Sequence, residues 1–412
     1  PERKFQTFMA HVRYATSGDK NKLLEEAHPH VVGGERIHNN NHLIITNCDA
    51  AIVHNGQVDL EGICASRYVP TTDCDTEKLL HFFLETNEFE LARRVPGAYT
   101  MAIAQKGRKE VLAMRDRLGM HPGVLGRKDG KHGMASENIA FNANGGETIE
   151  DLTPGYVYYL TPEGDYRKTK LVDSDKSSHC MFEWQYIMDK TSTSTDLHVP
   201  IHRRRLGEQL AKEFFPKDVD FVTYAPRCPE PAATSYSAVT GIPLIKVFYK
   251  PRAERSFQGS TSAERAASIN ENLYLLPAAE KSIKGKNILV IEDSIVRGNV
   301  LGRIRHLLLD QAKVNKVYVA SYTPPLCIKG DDGVDRGCLF GVDMPPQPAS
   351  SDLYIARERT ADEISEQVGM QVHYLSMERF LATFEQSGIK RKDLCTYCLG
   401  GEHPFVQLNL RK

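Results

Sequence analysis

The chain has 412 residues, 41% hydrophobic and 25% charged, an ordinary globular composition with length for two or three domains. Its 52 Lys plus Arg balance 53 Asp plus Glu to a net charge of −1, which excludes a broadly basic nucleic-acid binder. No apolar run approaches the roughly 18 residues of a membrane helix, and the polar start lacks a signal-peptide core, so a soluble, cytoplasmic protein without a membrane partner is expected. Residue 1 is Pro1 and the first methionine is Met9, so the natural start is expected to be processed or missing. Nine cysteines, an odd number with no secretory signal, argue against a disulfide framework.

Residues 1–172 read as short strands, at 43–45, 51–53, 98–104 and 157–160, separated by Asn-Gly, Lys-Gly and Glu-Gly turns, with a helix over 76–84. That pattern predicts a layered α+β domain. The polar stretch 173–178 reads as a linker that opens a second domain, 173–412. There the rhythm changes: helix 204–215, strand 219–224, helix 231–240, strands 244–248 and 287–291, helix 299–309 and strand 314–321. Such alternation implies a parallel sheet with helices on both faces. Two more helical patterns follow residue 351, and the tail carries Cys395-Thr-Tyr-Cys398.

The most informative string is Ile288-Leu289-Val290-Ile291-Glu292-Asp293-Ser294-Ile295-Val296-Arg297-Gly298. An apolar parallel strand ends in two carboxylates, and a short loop leads into a helix. In open α/β sheets ligands bind beyond the carboxyl ends of strands. Loop N–H groups there suit a phosphate monoester, and the paired acids suit ribose hydroxyls and Mg²⁺. By itself the string is also compatible with a strand end carrying exposed acids. The pair Cys395 and Cys398 alone fits part of a metal or cluster site, a zinc half-site, or exposed thiols. Asn55-Gly56 alone reads as a hairpin turn.

The acid-pair string resembles the phosphoribosyl-pyrophosphate (PRPP) signature of type I phosphoribosyltransferases, and in particular that of the glutamine PRPP amidotransferase family. The likeness runs nearly end to end. His11-Val12-Arg13-Tyr14-Ala15-Thr16-Ser17-Gly18, His54-Asn55-Gly56, Asp75-Thr76-Glu77, Arg115-Asp116, Ala135-Ser136-Glu137 and Asp151-Leu152-Thr153-Pro154-Gly155 match that family's glutaminase domain. Cys180-Met181-Phe182-Glu183-Trp184 matches its Cys-x-Phe-Glu-Tyr segment, and the run from Lys250 to Phe257 keeps its Lys, Arg, Arg and Phe. The resemblance implies a glutaminase-like Ntn-hydrolase domain, incomplete at its N-terminus, followed by an α/β type I phosphoribosyltransferase domain. It implies that Arg13, Thr16 and Asp75 bind glutamine and that Asn55 and Gly56 form the oxyanion hole. PRPP would be held by Glu292, Asp293, Ser294, Ile295, Val296, Arg297 and Gly298, with Lys250 and Arg252 near pyrophosphate and Glu292 and Asp293 on Mg²⁺. Cys180, Cys338, Cys395 and Cys398 match the ligands of a [4Fe–4S] cluster in the iron–sulfur members.

Departures from the family pattern fall in both halves. The family's N-terminal Cys nucleophile, whose own amine is the base, has no counterpart in a chain beginning at Pro1. The glutaminase is therefore expected to be truncated or a degenerate shell. Glu292 replaces the first Asp of the acid pair, and the pyrophosphate loop reads Pro226-Arg227-Cys228-Pro229-Glu230-Pro231. The flexible loop, basic in the family, aligns with Ser268-Ile269-Asn270-Glu271-Asn272-Leu273, while Lys250, Arg252, Arg255 and Arg265 remain. Each lost charge-assisted contact would cost roughly 1.5–3 kcal/mol. The leading expectation is an amidophosphoribosyltransferase, using PRPP and glutamine or ammonia, open to purine nucleotide inhibitors and assembled as a dimer or tetramer. The alternatives are a catalytically silent homologue that senses a phosphoribosyl compound, and a transferase that accepts ammonia alone.

Overall fold

The computed structural model describes residues 7–12, 24–39, 42–60, 69–174, 176–251, 269, 271–340, 342, 344–348 and 353–405. The chain forms two compact units, one of residues 1–180, 193–195 and 404–412, the other of residues 181–192 and 196–403. Among the described residues, no helix is long and apolar enough to cross a membrane.

The first unit is built on strands β1 (His30–Val32), β2 (Glu35–Asn39), β3 (His42–Thr46), β4 (Ala50–Val58), β5 (Gly97–Gln105), β6 (Val111–Arg115), β7 (Val124–Lys128), β8 (Lys131–Ala135), β9 (Glu147–Asp151), β10 (Tyr156–Leu160) and β11 (Tyr166–Lys170). Its main sheet is antiparallel in the order β1-β4-β5-β6-β10-β11; β8-β7-β9 form a smaller sheet and β2-β3 a hairpin. Helix α1 (Asp75–Glu85), followed by the short α2 (Glu88–Arg94), puts Leu79, Leu80, Phe82 and Phe83 into one core with Ile52 of β4, Met101 and Ile103 of β5, and Leu112 and Met114 of β6. Removing four such side chains from water outweighs the weak propensity of an 11-residue helix. Asp75 and Glu77 sit in its first turn, where the helix dipole favours anions. Glu77 also accepts hydrogen bonds from the backbone and hydroxyl groups of Thr71 and Thr72, which fixes the approach to the helix.

The second unit centres on a parallel sheet of β12 (Phe221–Tyr224), β13 (Asn287–Glu292), β14 (Lys316–Ser321) and β15 (Gln371–Tyr374), in that order. Its helices include α3 (Val199–Glu213), α4 (Glu230–Thr240), α5 (Asn299–Arg305), α6 (Ala361–Val368) and α7 (Met377–Glu385). On one face Ile288, Val290, Val317, Val319 and Val372 pack with Leu301, Ile304 and Ile364 from α5 and α6. On the sheet, Tyr318 meets Phe214 from the end of α3 edge-on, with ring centroids 6.1 Å apart. Three elements depart from the sequence pattern. The stretch 244–248 gives only a bridge from Leu244 to Val222 and the two-residue strand Phe248–Tyr249. Pro243 immediately before it supplies no N–H to a ladder. Helix α3 begins at Val199 rather than 204, because Pro200 fits the first turn of a helix. After Arg305, helix α5 widens into a π-turn over His306–Gln311.

Candidate active site

In the second unit, β13 is buried from Ile288 to Ile291 and is paired on both edges, with β12 and with β14. Its apolar run therefore belongs in the middle of the sheet, and the chain leaves at the carboxyl edge with Glu292 and Asp293. Backbone bonds from Tyr322 N to the Glu292 carbonyl (3.1 Å) and from Ile355 N to the Val296 carbonyl (2.9 Å) hold the loop that follows. The Thr323 hydroxyl donates to the Asp293 carbonyl. Gly298 closes the loop at φ +83°, where a Cβ would lie 2.7 Å from Ile355 Cδ1. That combination of left-handed backbone and close approach restricts the position to glycine.

Ser294 Oγ donates to Asp293 Oδ1 at 2.7 Å. Glu292 and Asp293 are only 5% and 9% exposed, so two carboxyl groups share a poorly solvated strand end. Burial pushes Asp293 up to about 6. Burial, then the charge of Asp293, pushes Glu292 well above the usual carboxylate range. Burial pulls Lys250 below its ordinary value, against the attraction of Asp293 and Glu292. Opposite shifts in neighbouring groups are what desolvation produces where no solvent or ligand compensates the charges.

Lys250 and all of Glu292 to Gly298 converge on one cleft of about 650 Å³. Arg252 falls outside the described residues, as do Arg255 and Arg265. Of the loop read at 268–273, Ile269, Asn272 and Leu273 line the cleft, while Ser268 and Asn270 lie outside the described residues. Pro226, Arg227 and Cys228 form part of the wall; Arg227 Nη2 reaches the Lys250 carbonyl at 3.5 Å, and Cys228 Sγ donates to the Tyr186 carbonyl at 3.4 Å. Lys246 and Arg203 line the same cleft and were not read from sequence as site residues. Arg203 had a usable signal, since Val199, Arg203, Leu206 and Leu210 repeat at helical spacing and put it on the buried face of α3.

The first unit brings together His54, Asn55 and Gly56 of β4 with Asp75 and Thr76 of α1. Arg13 and Thr16 lie outside the described residues. Asn55-Gly56 is no turn: both residues sit inside β4, opposite Thr100 and Tyr99 of β5. Gly56 has φ +140°, and a Cβ there would fall 2.0 Å from the Ala98 carbonyl oxygen, so the strand passes only as glycine. Asn55 Nδ2 donates to Ser136 Oγ at 3.0 Å, and Asp75 Oδ2 accepts from Val58 N at 3.1 Å. The Thr76 hydroxyl lies 3.0 Å from His54 Nδ1 and 3.1 Å from His28 Nε2, bridging two imidazoles that sequence reading left unassigned. Burial lowers His54 to about 4, so it is neutral at pH 7. With Thr76 only 1% exposed, this network positions β4 against α1 and offers no accessible nucleophile.

Cys338, Cys395 and Cys398 belong to the second unit, and Cys180 to the first. Cys395 ends the short strand Leu394–Cys395 and Cys398 lies in the 3₁₀ turn Tyr397–Leu399. Desolvation pushes the Cys338 thiol up to about 12, with the charge of Cys395 adding to it. A thiol in that environment is a poor nucleophile and loses its proton only to a bound cation. Among the described residues, no three or more His, Cys, Asp or Glu side chains could hold a single metal ion.

The glutamine amidotransferase domain family matches residues 42–163. An amidophosphoribosyltransferase of Synechococcus elongatus is 30% identical over 86% of this chain and 72% of its own length. One from Archaeoglobus fulgidus is 29% identical over 97% of this chain and 83% of its own. The solved glutamine PRPP amidotransferase of B. subtilis, complexed with ADP and GMP, superimposes with a TM-score of 0.75 at 25% identity, covering 96% of this chain and 82% of that one. The likeness thus spans both units, an N-terminal glutaminase-like domain and a phosphoribosyltransferase domain, and the chain belongs to the amidophosphoribosyltransferase family.

Proposed function

We propose that this chain transfers ammonia to C1 of Mg²⁺-bound PRPP, with glutamine as the family's ammonia source. The observation that carries this reading is the buried Glu292–Asp293 pair at the carboxyl edge of a parallel sheet, beside the loop to Gly298 and facing Lys250 across one cleft. The nitrogen lone pair forms the new bond to C1, the C1–oxygen bond breaks, and pyrophosphate leaves with that electron pair. The amine then sheds a proton, giving 5-phosphoribosylamine. This chain's part is positioning: the amides of 294–298 seat the 5′-phosphate, Glu292 and Asp293 orient the ribose hydroxyls, and Lys250 and Arg252 balance the pyrophosphate. Glu292 and Asp293 would also hold Mg²⁺, which supplies charge neutralisation when bound; two desolvated acids fit a hard cation.

The iron–sulfur reading rests on the family pattern. By that pattern alone Cys180, Cys338, Cys395 and Cys398 would hold a structural [4Fe–4S] cluster. The ADP and GMP bound by the B. subtilis relative support purine nucleotide binding here as well, and that such nucleotides inhibit follows from the family resemblance. A cytoplasmic homo-oligomer is the accompanying expectation.

Pyrophosphate release from PRPP and Mg²⁺, on anaerobically purified protein with ammonium or glutamine, tests the reading. Release with ammonium establishes the transferase, and release with glutamine as well adds the glutaminase. No release with either, from folded protein that still binds PRPP, overturns it in favour of a silent binding protein.

A further inference from the structure

Arg203 is buried to 1% exposure on the inward face of α3, yet it lines the cleft that holds the acid pair. Its Nε donates to the Trp184 carbonyl at 3.0 Å and its Nη2 to the Met188 carbonyl at 2.9 Å. One carbonyl lies in the π-turn Glu183–Ile187 and the other just after it, and from that turn Tyr186 and Ile187 reach the cleft wall. Two of the five N–H groups of a guanidinium are thereby engaged, and the other three have no acceptor among the described residues. Burying a cation with open donors is costly unless an anion completes it. Asp189 and Asp293 feel the charge of Arg203 but form no hydrogen bond with it.

We infer that Arg203 is a further substrate-binding residue, donating its remaining N–H groups to the diphosphate of the ligand that fills this cleft. The inference rests on the PRPP reading. In that reading the loop amides of 294–298 take the 5′-phosphate, and the two acids repel the second anionic group. A planar guanidinium fixed by two carbonyls matches phosphate oxygens without further ordering. It also ties the wall segment to ligand binding, because the same side chain holds both.

The test compares wild type with Arg203→Gln and Arg203→Lys in calorimetric titrations with Mg²⁺-pyrophosphate and, separately, ribose 5-phosphate, well below each protein's melting temperature. Arg203→Gln should weaken pyrophosphate about 10- to 100-fold, the scale of one charge-assisted contact, and leave ribose 5-phosphate within about twofold. Arg203→Lys should recover part of the loss. KM for PRPP should rise along with the pyrophosphate dissociation constant. Unchanged pyrophosphate binding in folded Arg203→Gln overturns the inference, as does equal weakening of both ligands, which marks a structural role only. Wild type that binds pyrophosphate without turning over PRPP would remove the proposed reaction while this comparison still decides Arg203. Wild type that binds neither ligand overturns both.

Discussion

The polar groups of the two units are arranged on opposite principles. In the first unit they answer one another: the Thr76 hydroxyl between His54 and His28, Asn55 on Ser136, Asp75 on the Val58 amide. In the second unit the cleft holds its charges unbalanced, with Asp293 and Glu292 pushed up and Lys250 pulled down by burial. Polar groups that hydrogen-bond one another across β4 and α1 hold a scaffold; acids and a lysine that burial shifts in opposite directions await a ligand that supplies the missing charge. The contrast locates the chemistry accessible to this chain's described residues in the second unit.

Substitutions can break that contrast. The largest effect is expected from Asp293→Asn, which should cut PRPP turnover about 10²–10³-fold while keeping size and shape. The same change should raise stability at pH 7 in metal-free buffer by about 1–3 kcal/mol. The folded carboxyl holds its proton more tightly than the unfolded one, so wild-type stability declines as pH rises from 3.8 through about 6. The variant should decline less, with Glu292 alone left to lose its proton, and denaturant melts at pH 4 and pH 7 would show it. Gly56→Ala should come next: its Cβ would meet the Ala98 carbonyl oxygen, a backbone atom with little room to yield. Loss of the native β4–β5 pairing, read by amide exchange over 50–58 and 97–105, is the expected result; native protection there would contradict the geometry. The smallest effect belongs to Thr76→Val, which removes a hydrogen bond from each of two imidazoles at a cost of about 1–3 kcal/mol without touching the cleft. Thermal melts should shift while ammonium-dependent turnover stays at the wild-type rate.

Much of this arrangement is legible in the residues, because short-range physics dominates it. The apolar run Ile288–Ile291 followed by Glu292 and Asp293 can be buried on both faces only in mid-sheet, and there it is found. Helix α1 likewise follows from the spacing of Leu79, Leu80, Phe82 and Phe83. What escapes sequence reading depends on distant contacts. Asn55-Gly56 has the composition of a hairpin turn, but pairing with β5 along all of β4 overrides that local preference. The His28–Thr76–His54 bridge joins residues 48 and 22 positions apart, which no local pattern encodes. Arg203 stands in the run Arg203-Arg204-Arg205, where charge suggests a solvated face; only the register of α3 singles out the buried one.

The central claim is that burial keeps the acid pair partly protonated until a cation-bearing ligand arrives. Calorimetric binding of PRPP with Mg²⁺ at pH 6, in two buffers of different ionisation enthalpy, counts the protons exchanged. The account predicts net release on binding by wild type, and a smaller release by Asp293→Asn under identical conditions. Equal proton counts for the two proteins, or net uptake by wild type, would contradict it.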